Sequence, residues 1–175
     1  KVKTLAIVAA TFVCLAIGTL TGAWFFLYKN LTDTEAQLTR QDVLRGLIIL
    51  QNELSLLATV TGDYAGWDDT YAFVRDGNQA YIEANLVEST FAKQRLNMLL
   101  IINAEGKIIY GTGFDLGTNR ITPLSHAVRQ YLHPGCPFLT HADTESVLTG
   151  LLALPEGPMM FSSRPILTSN YRGPI

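Results

Sequence analysis

The longest hydrophobic run lies at the start of the chain. Residues 5–28 read LAIVAATFVCLAIGTLTGAWFFLY and contain no charged side chain. At about 1.5 Å rise per residue, this run forms a helix of roughly 36 Å, enough to cross a hydrocarbon core of about 30 Å. A cleavable signal peptide would have a shorter apolar core, of about 7 to 15 residues. The pattern therefore predicts an uncleaved transmembrane helix over residues 5–28.

The charges that flank this run bear on its orientation. Lys1 and Lys3 precede it and Lys29 follows it, and the chain begins with Lys rather than Met. Nearby acidic residues count for little in the positive-inside rule. We therefore expect residues 1–4 to be the cytoplasmic remnant of a longer N-terminal segment, with the rest of the chain on the outer side of the cytoplasmic membrane.

A second helical pattern follows over residues 29–62, with Gly62 expected to interrupt it. Apolar residues recur four and three positions apart, as in the seam of a coiled coil. This stripe either packs on its own domain or forms a dimer seam. Gly18 and Gly22 lie four apart in the span and would let two membrane helices approach closely. Together the patterns favour a parallel homodimer through Gly18, Gly22, Val43, Leu47, Leu50, Leu54 and Leu57.

Acidic and aromatic residues are concentrated in the next stretch, DYAGWDDTYAF at residues 63–73. On a helix over residues 67–74, Trp67, Tyr71 and Val74 share one face, and Asp68 and Asp69 occupy its rim. Such a face can line a ligand pocket in which carboxylates bind an amine or another donor. The acids can equally cap the helix and fasten it to the domain.

The rest of the chain alternates strand patterns with turn residues. Apolar runs at residues 96–103 and 107–110 predict one antiparallel hairpin, and runs at 147–154 and 159–167 predict another. Thr122 and Pro123 are suited to start a helix over residues 123–132. These patterns predict an antiparallel sheet flanked by helices.

Composition argues against several function classes. Thirteen Lys and Arg against fifteen Asp and Glu give a net charge of −2, without the basic patch that nucleic-acid binding requires. Adjacent Asp68 and Asp69 point about 100° apart on a helix, so they cannot divide acid and base work. His126, His133 and His141 show no ligand spacing. We therefore expect no catalytic residue, metal or cofactor, and no nucleic-acid partner.

One run of residues resembles a known family. The string DYAGWDDTYAFV follows a membrane span and a long helix and precedes YIEANL and MLLIINAEGKIIYG. This arrangement resembles a CHASE4 domain, an extracytoplasmic sensor module of prokaryotic transmembrane signalling proteins. The resemblance implies a PAS-like or Cache-like fold over residues 63–175 between two membrane spans. It also implies a cytoplasmic output domain, either a histidine kinase or an enzyme that makes or degrades cyclic-di-GMP.

The sequence thus predicts an α/β protein in which a transmembrane helix continues into a long helix and then a PAS/Cache-like antiparallel sheet flanked by helices. A small-molecule ligand would bind on the sheet face, and Arg164 would fork onto its carboxylate or else pair with Asp68 or Asp69. The alternative function is a membrane-anchored extracytoplasmic enzyme or binding protein without cytoplasmic output. The expected ligand-binding residues are Trp67, Asp68, Asp69, Tyr71, Tyr81, Asn85 and Arg164.

Overall fold

The computed structural model describes residues 2–132 and 136–175, with residues 30–34 and 36 described by their backbone only. The chain divides into two compact units, Lys1–Leu50 and Gln51–Ile175. Five helices and five strands follow one another along the described residues. They are α1 (Val2–Ala65), α2 (Asp68–Asp76), α3 (Gln79–Asn85), α4 (Glu88–Gln94), β1 (Met98–Ile102), β2 (Ile108–Asp115), β3 (Arg120–Thr122), α5 (His126–Tyr131), β4 (Leu148–Leu154) and β5 (Gly157–Ser163).

The N-terminal unit is helical throughout its described residues and belongs to α1. Two segments of α1, Val2–Lys29 and Gln37–Ala65, are long and apolar enough to cross a membrane, with mean hydropathies of 2.1 and 1.4. The backbone between them is helical. Their apolar surface suggests association with a membrane.

The last turns of α1 belong to the C-terminal unit. Leu57, Val60 and Tyr64 pack against the hydrophobic core of that unit. The helix passes Gly62, where the sequence predicted an interruption, and ends at Ala65. A glycine at position 62 leaves room for the Arg164 guanidinium to pack against the helix. A Cβ at this position would lie 3.3 Å from Cζ of Arg164.

Helices α2 to α4 and the first hairpin enclose the core of the C-terminal unit. The fully buried residues are largely aromatic and aliphatic, and the Phe91 ring stacks on Phe114 of β2 with centroids 5.4 Å apart. This stack joins α4 to the sheet. The buried core cluster consists of Phe73, Tyr81, Leu86, Phe91, Leu96, Ile101 and Phe114.

Both predicted hairpins are present, and they lie in separate antiparallel sheets. The first sheet has the strand order β1-β2-β3, and β4 and β5 form the second. A bulge between Ile101 and Ile102 shifts the register of β1 against β2. The mixed helical and antiparallel architecture is as predicted from the sequence.

The helix predicted over residues 123–132 is shorter than expected. Helix α5 begins at His126, and Ser125 rather than Thr122 is its N-cap, because the Ser125 hydroxyl accepts a hydrogen bond from the backbone N–H of Ala127. Thr122 instead ends β3, where it pairs with Gly113. Both Thr122 and Ser125 are suitable N-cap residues, and the pairing of Thr122 in β3 left Ser125 as the N-cap.

Candidate functional site

Helix α2 carries the acidic and aromatic run that the sequence singled out. Trp67 occupies the N-cap position with an extended backbone, and Gly77 ends the helix in the left-handed region at φ 64°. The two carboxylates of Asp68 and Asp69 in the first turn and the cation of Arg75 in the last turn match the helix dipole. These local signals explain why the helix occupies residues 68–76.

The buried face of α2 differs from the predicted one. Thr70 and Phe73 are each 1% exposed, whereas the Trp67 side chain is 46% exposed and rests beside the Tyr64 ring with centroids 5.4 Å apart. The prediction of a shared Trp67, Tyr71 and Val74 face was based on their spacing of four and three positions. It overlooked Thr70, a polar residue that is buried because its hydroxyl is hydrogen-bonded.

Tyr81 fastens α3 to α2. Its hydroxyl lies 2.6 Å from the Thr70 hydroxyl, and its ring stacks on Phe73 with centroids 4.6 Å apart. Burial is the largest cause that raises the pKa of Tyr81, and the nearby Asp69 carboxylate adds to the rise. Tyr81 is therefore a structural residue of the α2–α3 contact, and it also lines a pocket.

That pocket lies between α2 and α3, is open to solvent and has a volume of about 250 Å³. Three of the residues predicted to bind a ligand, Asp69, Tyr81 and Asn85, line it. Small side chains on both helices leave this space unfilled. We call it the α2–α3 pocket, and its lining residues are Asp69, Ala72, Asn78, Ala80, Tyr81, Ala84 and Asn85.

Asp68 lies outside that pocket and binds the C-terminal part of the chain. Its two carboxylate oxygens accept hydrogen bonds from the backbone N–H and the hydroxyl of Ser169, both at 2.8 Å. These bonds, the backbone one first, hold the pKa of Asp68 below its usual value. Of the two readings offered by the sequence, the geometry of Asp68 matches the fastening role.

Further contacts tie the same segment to the junction of α1 and α2. The backbone N–H of Leu167 donates to the Ala65 carbonyl at 2.9 Å. A Cβ built on Gly173 would lie 2.9 Å from Cε2 of Tyr71. We call residues 164–173 the C-terminal strap, because they cross the end of α1 and the start of α2.

Arg164 begins this strap and does not pair with Asp68 or Asp69. Its guanidinium lies against Gly62 on the last turns of α1. Its Nε is buried and has no hydrogen-bond partner among the residues described. A cation beside the C-terminal turn of a helix is favoured by the helix dipole. The position of Arg164 therefore suits a contact between the strap and α1.

A second open pocket was not anticipated from the sequence. It has a volume of about 280 Å³ and lies between the end of α2 and the start of β2. Its two groups of lining residues, 74–77 and 107–109, lie about 30 positions apart and meet only through tertiary packing, so no local pattern could have indicated the pocket. Its lining residues are Val74, Arg75, Asp76, Gly77, Lys107, Ile108 and Ile109.

The residues predicted for a dimer seam occupy different environments. Val43 and Leu47 are 58% and 52% exposed, and no atom lies within 4 Å of a Cβ built on Gly18 or Gly22. Leu50 and Leu54 are half-buried. Leu57 packs on the core of its own unit. The part of the stripe that remains open to a partner is therefore its N-terminal half.

Of the three histidines, His126 is exposed on α5 and His133 lies outside the described residues. His141 bridges two serines, with Nδ1 3.2 Å from the Ser146 hydroxyl and Nε2 3.1 Å from that of Ser163 on β5. Burial lowers the pKa of His141. The ring thus fastens the loop before β4 to the second hairpin.

Comparison with known proteins gives a family and one relative. The CHASE4 domain family, a family of sensor domains, matches residues 49–175. Over 172 residues the chain is 31% identical to the methanogenesis regulatory histidine kinase FilI of Methanothrix harundinacea (strain 6Ac). That alignment covers 98% of this chain and 18% of the relative. No solved structure matches the chain.

Proposed function

Because the chain belongs to the CHASE4 domain family, we propose that it is the extracytoplasmic input region of a membrane-bound signalling protein and controls a cytoplasmic output domain. One observation carries this proposal: α1 includes the apolar segment Val2–Lys29, and its last turns at Leu57, Val60 and Tyr64 form part of the sensor core. A change in the core therefore acts directly on the helix that reaches the apolar segment.

The proposed fold of the C-terminal unit is PAS-like or Cache-like. The antiparallel β1-β2-β3 sheet and the helices α2 to α4 that precede it support this proposal. In such an arrangement a ligand contacts helices that also touch the sheet.

The proposed output is a histidine kinase. The relative FilI is named a regulatory histidine kinase, and this chain spans 18% of its length. Enzymes that make or degrade cyclic-di-GMP are the alternative outputs. A membrane-anchored enzyme or binding protein without any output is the alternative function. Incubation of the full-length protein in membranes with radiolabelled ATP separates the kinase from the other candidates, since a histidine kinase labels its own histidine and the others do not.

The proposed location is the cytoplasmic membrane, with residues 1–4 inside and the sensor unit outside. Two single-cysteine variants test this in a background in which Cys14 and Cys136 are replaced by serine. Glu105→Cys, in the exposed turn after β1, should react with a membrane-impermeant maleimide in intact cells. Lys3→Cys, its matched control, should react only after the cells are opened. The reverse labelling pattern would contradict the proposed orientation.

The proposed assembly is a parallel homodimer through the exposed N-terminal half of the α1 stripe. Val43 and Leu47 are large apolar side chains that are more than half exposed, as expected of a helix face that awaits a partner. Val43→Cys should form a disulfide-linked dimer on mild oxidation in membranes. Arg45→Cys, about 200° around the same helix, is the control and should not. Equal cross-linking at both positions would refute this seam.

The proposed signal route runs from the α2–α3 pocket to α1 through the C-terminal strap. A ligand would contact Asp69, Tyr81 and Asn85, while Asp68 and Tyr71 on the same helix hold the strap. Since the strap also bonds to Ala65 at the end of α1, a displacement of α2 is passed to α1. Trp67 and Arg164 take part in this route as contacts of α1 rather than as pocket residues.

Substitution of the strap tests this route. Ser169→Ala removes one of the two bonds to Asp68, and Asp68→Asn replaces the carboxylate. Both should change the basal kinase activity of the full-length protein while the sensor unit stays folded. Asn170→Ala, in the neighbouring exposed position of the strap, is the matched control. Unchanged kinase activity in both strap variants would exclude the strap from the route.

A further inference from the structure

Three of the seven residues that line the α2–α3 pocket are alanines, whose small side chains leave space between the helices. Ala80 and Ala84 lie four apart on one face of α3, and Ala72 of α2 lines the same pocket. All three are exposed, so a bulky side chain turned inward at Ala80 or Ala84 would occupy part of the open space. Ligand sites for drug-sized molecules measure roughly 300 to 1,000 Å³. A volume of about 250 Å³ therefore suits a ligand smaller than a drug-sized molecule.

Most polar side-chain groups that line the pocket are already engaged in bonds within the protein. The Asn78 amide oxygen accepts from the Tyr81 backbone N–H at 2.8 Å, and its nitrogen donates to Asp76 at 3.0 Å. The Asn85 amide nitrogen donates to the Tyr81 carbonyl at 3.1 Å. The Tyr81 hydroxyl is held by Thr70. These groups shape the pocket and leave few side-chain atoms for a ligand.

The groups that remain are one N–H on each of the Asn78 and Asn85 amides and two acceptors, of which one is charged. The Asp69 carboxylate makes no hydrogen bond or ion pair to any residue that the structure describes, and the same holds for the Asn85 amide oxygen. The seven lining residues include no Lys, Arg or His. The Asp69 charge acts within the pocket, since it adds to the rise in the pKa of Tyr81 that burial mainly causes.

We propose that the α2–α3 pocket binds a small organic ammonium ion, whose N–H groups donate to Asp69 and Asn85 and whose carbon atoms rest on the alanines. A cationic donor complements a free carboxylate beside a free amide oxygen, and hydrogen bonds between charged groups are the stronger kind. A carboxylate ligand would instead meet Asp69 without any cation in the pocket to offset the repulsion. This inference rests on the proposed function of the pocket as the ligand site.

The test uses the full-length protein in nanodiscs and calorimetric titration with propylammonium chloride. Two isosteric probes, 1-propanol and sodium propionate, serve as matched ligands. Propylammonium should bind saturably and compete with other alkylammonium ions, and neither isostere should bind. Saturable binding of propionate, or equal affinity for propanol and propylammonium, would overturn the proposal.

Variants place the binding in this pocket. Asp69→Asn should weaken propylammonium binding by at least about tenfold, because it removes the charge from the bond to the ligand. Asp63→Asn is the matched control, since Asp63 is an exposed acid on the last turn of α1 and does not line the pocket. Ala80→Leu should weaken binding by occupying part of the open space. Equal weakening in the Asp63 and Asp69 variants would show nonspecific attraction and overturn the proposal.

Kinase activity of the same preparations separates the ligand class from the function of the pocket. If Ala80→Leu changes autophosphorylation while propylammonium does not bind, the ligand class is refuted and the pocket keeps its signalling role. If propylammonium binds through Asp69 and neither it nor Ala80→Leu alters autophosphorylation, the inferred site stands and the proposed sensory function of the pocket is refuted.

Discussion

The pair of substitutions Phe73→Ala and Trp67→Ala tests which face of α2 belongs to the core. Phe73 is 1% exposed and stacks on Tyr81, so loss of its ring should cost about 3 to 5 kcal/mol of unfolding free energy. Of this, the ring stack accounts for about 0.5 to 1.5 kcal/mol. Trp67 is 46% exposed, and burial of about half its surface corresponds to about 2 to 3 kcal/mol at about 25 cal/mol per Å².

Pulse proteolysis in urea of the detergent-solubilised chain measures the difference, because it reports the fraction of folded sensor unit at each urea concentration. With a urea dependence of about 2 kcal/mol per molar, Phe73→Ala should lower the unfolding midpoint by about 1.5 to 2.5 M, and Trp67→Ala by about 1 to 1.5 M. If Phe73→Ala does not accumulate as folded protein, Phe73→Leu retains part of the buried volume and should lower the midpoint by a smaller, measurable amount.

Two outcomes would refute the reasoning. A larger midpoint shift for Trp67→Ala than for Phe73→Ala would mean that Trp67 lies in the core, as the spacing of aromatic residues alone suggested. Equal shifts would mean that α2 has no single buried face. The comparison is direct because both residues belong to the same helix: Trp67 is its N-cap, and Phe73 lies six positions further on, within the helix.

Three further predictions concern single contacts. The hydrogen bonds from Ser169 to Asp68 should protect the backbone amides of the strap from hydrogen exchange at any pH above the ordinary Asp pKa. This protection should be lost as the pH falls through the lowered pKa of Asp68. Asp68→Asn should remove this pH dependence of the protection. Asn78→Ala should lower the stability of the sensor unit by about 1 kcal/mol in urea unfolding, because it removes the cap of α3, and an unchanged midpoint would contradict this. Gly113→Ala should lower the unfolding free energy by about 1 to 3 kcal/mol in the same assay, because the alanine Cβ would lie 2.6 Å from the Thr122 hydroxyl oxygen. Gly106→Ala is the control for backbone strain without a clash, because Gly106 lies in an open turn at φ 79°.

The strap explains why one acidic pair in the sequence has two roles. Asp68 and Asp69 are adjacent on α2, so their side chains point in different directions around the helix. Asp68 meets Ser169, which is 101 positions away in the chain, and Asp69 meets α3. The sequence placed both acids at the rim of one face and could not separate them, because the partner of Asp68 comes from a distant segment.

The pocket residues show a similar division. Asp69, Tyr81 and Asn85 were predicted to lie together, and the structure places all three at the α2–α3 pocket. Arg164 was predicted there as well and lies instead against Gly62. The first three residues are on neighbouring helices joined by a short turn, so their proximity follows largely from local geometry. The place of Arg164 depends on how the second hairpin and the strap return to α1.

What the sequence determined by itself are the features that local chemistry controls. These are the apolar helix at the N-terminus, the presence of a helix close to the expected residues 67–74, and the two hairpins. Each depends on hydrophobic periodicity, capping or backbone freedom within a few residues. The resemblance to CHASE4 domains also came from a contiguous run around Trp67.

Only the tertiary structure decided which surfaces are buried and which side chains remain free. It buried Thr70 in place of Trp67, continued α1 past Gly62, separated the strands into two sheets and bound the strap to Asp68. The physical reason is the same in each case. Burial and hydrogen bonding between distant segments outweigh preferences of a few tenths of a kcal/mol per residue, and a local pattern contains no information about the partner.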